Sequence, residues 1–264
     1  MTPKTLTETT HSLLTRTLAQ GASPDSLAAS LRILCKWRAQ LIGNTIQARD
    51  GATVQHGPFA GMSFSTRSTE GARAARLLGA YEASLIPVIE EIVARDYPLI
   101  VDIGSAEGYY AVGLALRMPG ARVLARDASD LAQRACRSLA LENGVADRVE
   151  VGGLFSHDDF QALQGPRLVI CDIEGAEVDL LDPDRAPSLR QTDILVECHD
   201  GLVDRATQRL TERFADSHDI TRIERALAGD CIPPWMDAFS DIDRLLALWE
   251  WRAGPTPWLW MRAK

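Results

Sequence analysis

From residue 98 onward the chain alternates short apolar runs with amphipathic segments, and few folds accommodate that rhythm. "PLIVDIG", "ARVLARD", "DRVEVGG", "RLVICDIE" and "TDILVECHD" each read as a strand. "GYYAVGLALRM", "SDLAQRACRSLALENG" (capped by Ser129 or Asp130), "HDDFQALQG", the stretch after Gly175 and "LVDRATQRLTERFADSH" read as helices between and after them. Strands that are apolar on both faces need cover on both faces. Their alternation with helices therefore predicts a parallel α/β sheet with right-handed crossovers. The end of the chain differs: "ITRIERA" and "TPWLWMRAK" read as late strands, a hairpin-like addition at the sheet edge.

Upstream, residues 5–43 read as helical. Leu27, Leu31, Leu34, Trp37 and Leu41 recur at helical spacing, and Ser23-Pro24-Asp25 is a start signal. Residues 50–70 are rich in Gly, Ser and Thr and read as a loop or short hairpin; one or two helices follow before the first strand. This divides the chain into a helical extension (1–50), a lid or a homodimer contact, then an approach loop and helices (51–97), then the sheet domain (98–264). The formal net charge of −8, with no dense Lys/Arg run, argues against a nucleic-acid partner. Five scattered cysteines without a CxxC pair argue against a disulfide framework or a structural zinc. No apolar run reaches membrane-spanning length and the first residues lack the apolar core of a signal peptide, so a cytoplasmic protein without a membrane partner is expected.

In a sheet of this kind ligands bind beyond the carboxyl ends of the strands, where the strand order reverses. The first strand ends in "VDIGSAEGYYAVG", with Gly104 and Gly108 bracketing a turn that lets backbone approach a ligand. A dinucleotide fingerprint requires G-x-G-x-x-G. Here Ala106 takes the middle position and Tyr109 the last, and Asp102 and Glu107 add two carboxylates. Acids repel a pyrophosphate and attract an ammonium group, which favours S-adenosylmethionine over NAD. Asp127, where the second strand should finish, can accept both hydroxyls of a ribose; equally, Asp127 or Asp130 can start the next helix.

With these residues the chain resembles the class I S-adenosylmethionine-dependent methyltransferases, and within them the FkbM-type family. The resemblance is carried by "VDIGSAEGYYAVG", "LENGVADRVEV", "CDIEGAE" and "DILVECHD", with "GPFAGM" and "LLGAYEASL" upstream, over roughly residues 57–200. It implies a Rossmann-like seven-stranded sheet with helices on both faces and an antiparallel last strand. It implies that Asp102, Gly104, Ser105 and Gly108 hold the methionine part of the cofactor. Asp127, with Ala128 beside it, would hold the ribose, and Leu154 and Phe155 would flank the adenine. Two positions depart from the family pattern: Ala106 stands for the middle glycine, and "ARDAS" replaces an aromatic-acidic pair.

Methyl transfer needs alignment and removal of the acceptor's proton. A hydroxyl acceptor gains from a base or a metal, whereas an amine needs only to be neutral. Asp172 and Glu174 share one side of the fourth strand's end, and Glu197 and His199 share one side of the fifth. His199 is the best candidate base, with Glu174 and Glu197 beside it and Asp172 on the cofactor. The same four could hold Mg²⁺, although acids there also contact cofactor or loop amides and a divalent metal is not favoured. Glu177 and Asp179 read as helix starters. His56 is an exposed loop residue or part of a lid; Tyr81-Glu82 packs a helix or reaches the cofactor. The late tryptophans Trp235, Trp249, Trp251, Trp258 and Trp260 serve packing or wall an acceptor pocket. The expectation is O-methylation of a small-molecule acceptor, natural product or saccharide. N-methylation, a silent cofactor-binding scaffold and a nicotinamide oxidoreductase are the competing readings.

Overall fold

A computed structural model describes residues 5–65, 71–252 and 254–264. The chain enters through α1 (Leu6–Leu18) and α2 (Pro24–Asp50), which pack on each other. Ser23 starts α2 as the sequence predicts: its hydroxyl accepts the Ser26 N–H, the Ser26 hydroxyl accepts the Ser23 N–H, and Pro24 occupies the first helical position. The helix runs further than predicted, to Asp50, because Ala39, Ile42 and Ile46 continue a buried stripe into the main core. Leu27, Leu31 and Leu34 belong to the other face and are exposed.

Residues 51–65 form the expected short hairpin, with Thr53 bridged to Ser63 and the Val54 N–H donating to Met62 at 2.9 Å. Residues 66–70 of the predicted loop lie outside the described residues. Two helices then lead inward, α3 (Arg73–Leu78) and α4 (Ile86–Arg95).

The sheet alternates as predicted: β1 (Leu99–Ile103), α5 (Tyr109–Arg117), β2 (Arg122–Arg126), α6 (Asp130–Glu142), β3 (Val149–Gly152), α7 (His157–Ala162), β4 (Leu168–Cys171), α8 (Glu177–Leu180), β5 (Asp193–Glu197), α9 (Ala206–Phe214) and β6 (His218–Ile223). After β6 come α10 (Asp241–Ala247) and β7 (Trp258–Ala263). Seven strands lie in the order β3-β2-β1-β4-β5-β7-β6. The first five in sequence pair in parallel, while β7 runs antiparallel to both β5 and β6. This is the Rossmann-like α/β arrangement expected.

Successive strand residues face opposite layers. Ile100 packs with Ile89, Val112 and Leu114 on one side, and Val101 and Ile103 with Val178, Leu210 and Phe214 on the other. Each such buried side chain contributes about 1.5–3 kcal/mol of hydrophobic stabilisation.

The late strands do pair at the edge, but they are not a simple hairpin. Residues 224–257 intervene, and part of that connection returns over the carboxyl ends of the strands. Strand order reverses between β1 and β4, which lie side by side, so their carboxyl ends open the crevice where such sheets bind ligands.

Candidate active site

The turn from β1 into α5 is shaped by a close approach. Gly104 has φ +84°, and a Cβ there would lie 1.6 Å from the Asp172 carbonyl oxygen, so only glycine fits. Ala106, in place of the middle glycine, also adopts a left-handed φ of +45°, at a cost of about 1 kcal/mol. That conformation aims the Ala106 N–H at Asp127 Oδ2, 2.9 Å away. Asp127 Oδ1 accepts the Ser129 N–H at 2.7 Å, and Ser129 caps α6, so Asp127 ties the turn to the following helix.

The floor of the turn holds buried polar atoms without a hydrogen bond. Asp102 Oδ2, Ser105 Oγ and Asp172 Oδ1 are buried and make no hydrogen bond among the described residues. Burial, and secondly the charge of Asp172, push the Asp102 carboxyl up to about 7. Asp172 is also pushed up to about 7, first by burial and then by Glu82, against the pull of His199. Glu107 differs: it is fully buried and meets the Arg76 guanidinium of α3 at 2.5 Å. Arg76 in turn lies 4.1 Å over the Tyr81 ring.

Beyond β4 the chain turns sharply, with Glu174 at φ +53° and Gly175 at φ +104°. Glu177 opens α8, is fully buried, and gathers three nitrogens around one oxygen. Its Oε1 accepts the N–H groups of Ile173 (3.0 Å) and Gly175 (3.2 Å) and lies 2.8 Å from His199 Nδ1. His199 Nε2 lies 3.4 Å from Glu174 Oε2 and 3.7 Å from Asp172 Oδ1. Burial of His199 opposes its charge, but the Glu177 hydrogen bond and the surrounding carboxylates outweigh it and raise its pKa above the ordinary value. Burial likewise opposes the charge of Glu177, yet His199 and the backbone N–H groups hold its carboxyl below the usual range.

Glu197, at the end of β5, is buried against Arg252 from the connection before β7. Arg252 also contacts Glu82 and, at 3.0 Å, Glu250. Glu82 further accepts the Tyr110 hydroxyl. One guanidinium thus bridges three buried carboxylates, with Arg225 a second cation on Glu250, which leaves Glu197 a structural partner rather than an open base.

A cavity of about 720 Å³ lies over these strand ends, with Asp172, Glu174, Glu197 and His199 in its wall, so the four residues predicted to surround the acceptor are brought together. A narrow second space is lined by Asp102, Gly104, Ser105 and Glu107. The two share Arg76, Tyr81 and Asp172, so the turn and the strand-end site are contiguous. Asp127 adjoins the turn and Ala128 is exposed beside it; neither lines the two spaces. Leu154 is exposed, and Phe155 packs edge-on against Phe160, 4.8 Å between centroids, away from both. His56 is exposed and outside the cavity, whereas Tyr81 lines it. Trp251 forms part of the wall with Lys36 4.7 Å over its ring; Trp258, buried in the sheet, also lines the narrow second space, and Trp260 is buried in the sheet.

Asp172, Glu174 and His199 offer ligand atoms within 4.8 Å of one another, a spacing a divalent ion could use; Glu197, committed to Arg252, is not of that group. Sequence reasoning missed Arg76 and Arg252, which sit in a helix and a loop without a motif. It read Glu177 only as a helix starter.

No family model matches the chain. Over 56 residues it is 46% identical to a release factor glutamine methyltransferase of Chlorobaculum tepidum, which is 21% of this chain and 19% of the relative. The chain thus matches about a fifth of that relative's length. An O-methyltransferase from Bacillus cereus, solved in complex with SAH, covers 86% of this chain and 90% of its own at 16% identity, with a TM-score of 0.47. The O-methyltransferase TomG from Streptomyces achromogenes, solved with SAM, covers 73% and 87% at 17% identity, with a TM-score of 0.48.

Proposed function

We propose that the chain is an S-adenosylmethionine-dependent methyltransferase that methylates a hydroxyl oxygen of a small molecule. One observation carries the reading: carboxylates with buried oxygens that make no hydrogen bond among the described residues lie at a glycine turn contiguous with a histidine held by a carboxylate. The residues fit the cofactor. Asp102 and Asp172 are destabilised as anions by burial, and a bound ammonium group would relieve both. The Ser105 hydroxyl makes no hydrogen bond among the described residues, and it lines the narrow space together with the Gly104 backbone. Such a cofactor supplies an electrophilic methyl group on a sulfonium.

The chain's own residues do the rest. Tyr81 and Asp172 border both spaces and align donor with acceptor. His199 Nε2 faces the cavity and takes the acceptor's hydroxyl proton. Arg252 bridges Glu82, Glu197 and Glu250, which holds the wall and ties up Glu197. A 720 Å³ cavity suits a small molecule, and the net charge of −8 speaks against a phosphate backbone. The kinship with the FkbM-type family rests on the sequence motifs. Among the described residues no helix is long and apolar enough to cross a membrane.

Isothermal calorimetry with S-adenosylhomocysteine tests the reading. Micromolar binding is expected; no heat at high micromolar concentration overturns it.

A further inference from the structure

The acceptor's proton needs a free nitrogen lone pair, and a histidine has two nitrogens to choose from. Which one carries the proton in the neutral ring is set by what the other meets. His199 is buried, and its Nδ1 lies 2.8 Å from Glu177 Oε1. An ionised carboxylate is an acceptor only, so Nδ1 must donate and the lone pair falls on Nε2. We propose that Glu177 is the positioning residue of this site: it fixes His199 as the Nδ1–H tautomer and turns Nε2 toward the acceptor. The inference rests on the reading of His199 as the base and names what makes it one.

Three features support it. Glu177 is fully buried and belongs to a helix of four residues, far more enclosure than a helix starter needs. The same Oε1 accepts the Ile173 and Gly175 N–H groups, so the carboxylate is held by backbone and cannot rotate away from the imidazole. Those two residues flank Glu174 and follow Asp172. One carboxylate therefore sets both the ring and the turn whose acids face Nε2 at 3.4 and 3.7 Å. Those acids stabilise the ring once its Nε2 has taken the proton from the acceptor oxygen, and Glu177 stays ionised throughout.

Nitrogen-15 NMR of the histidine-labelled full chain reads the tautomer directly and needs no acceptor. In the wild-type chain at alkaline pH, His199 should be almost wholly Nδ1–H. Glu177→Gln keeps the shape but can also donate from its amide, so the Nδ1–H to Nε2–H ratio should fall roughly tenfold or more, a charge-assisted bond having been exchanged for a neutral one. Asp172→Asn, on the other nitrogen's side, should leave the tautomer unchanged. A wild-type His199 protonated on Nε2 overturns the proposal, even if the Gln variant fails to fold. So does an unaltered ratio in a folded Gln variant. S-adenosylhomocysteine calorimetry on the same samples separates the two readings: if the wild type does not bind, the methyltransferase assignment fails while the tautomer result still stands.

Discussion

Arg76 and Glu107 meet at 2.5 Å with both side chains buried, joining α3 to the glycine turn that follows β1. Two charges removed from water are tolerable only when each is compensated, and losing Arg76 takes a buried counter-charge away from Glu107. Arg76→Ala should therefore cost about 3–5 kcal/mol. Thermal unfolding should show a drop of roughly 10 °C, with loss of S-adenosylhomocysteine binding in the folded fraction.

Asp102 carries a different cost. Its folded-state pKa is about 7, raised from 3.8 chiefly by burial. A carboxyl raised in this way contributes stability at low pH that is lost as pH rises through the folded value. Asp102→Asn removes the penalty. The variant should melt roughly 5 °C or more above wild type at pH 8, with no gain at pH 4, while binding the cofactor product poorly. A melting curve at pH 8 no higher than wild type would show that the carboxylate is not strained.

The same groups set the pH dependence of binding. An ammonium group favours the ionised acids, and both Asp102 and Asp172 titrate near 7. S-adenosylhomocysteine affinity should therefore rise about tenfold between pH 6 and pH 8, by calorimetry in buffers of matched ionic strength. A flat profile would mean that neither carboxylate meets the ammonium.

His199→Ala should keep S-adenosylhomocysteine affinity within about twofold while turnover on an identified hydroxyl acceptor falls by roughly 10²–10⁴. In the wild type, turnover should climb with pH through a limb above the ordinary histidine value, because Glu177 and the neighbouring acids hold the proton on. Unchanged turnover in the alanine variant would remove His199 as the base.

The strands were legible because apolar runs of four to six residues have no other use between amphipathic helices. The turn at Gly104 was legible because glycine spacing and acid content are local. Arg252 was not: it lies in an irregular connection, and its partners Glu82 and Glu197 are distant in sequence, so no pattern joins them. Glu177 does head α8 as read, and its second role was hidden for a related reason. Its place at the head of α8 satisfied a local rule, which hid the contact with a histidine on the next strand's exit. Glu197 looked free for the same reason that Arg252 was invisible.

The position of β7 has a consequence for how the molecule assembles. It is the last strand in sequence, yet it lies between β5 and β6 and supplies hydrogen bonds to both. Until Trp258–Ala263 arrives, β5 is an open edge and β6 has no neighbour. Closing the sheet is thus a long-range event that comes late, the kind that slows folding and leaves an unpaired edge waiting. The segment bearing Arg252 is anchored by that same strand, so Glu82 and Glu197 meet that guanidinium only when the sheet closes. A refolding chain should acquire helical signal before it acquires a binding site.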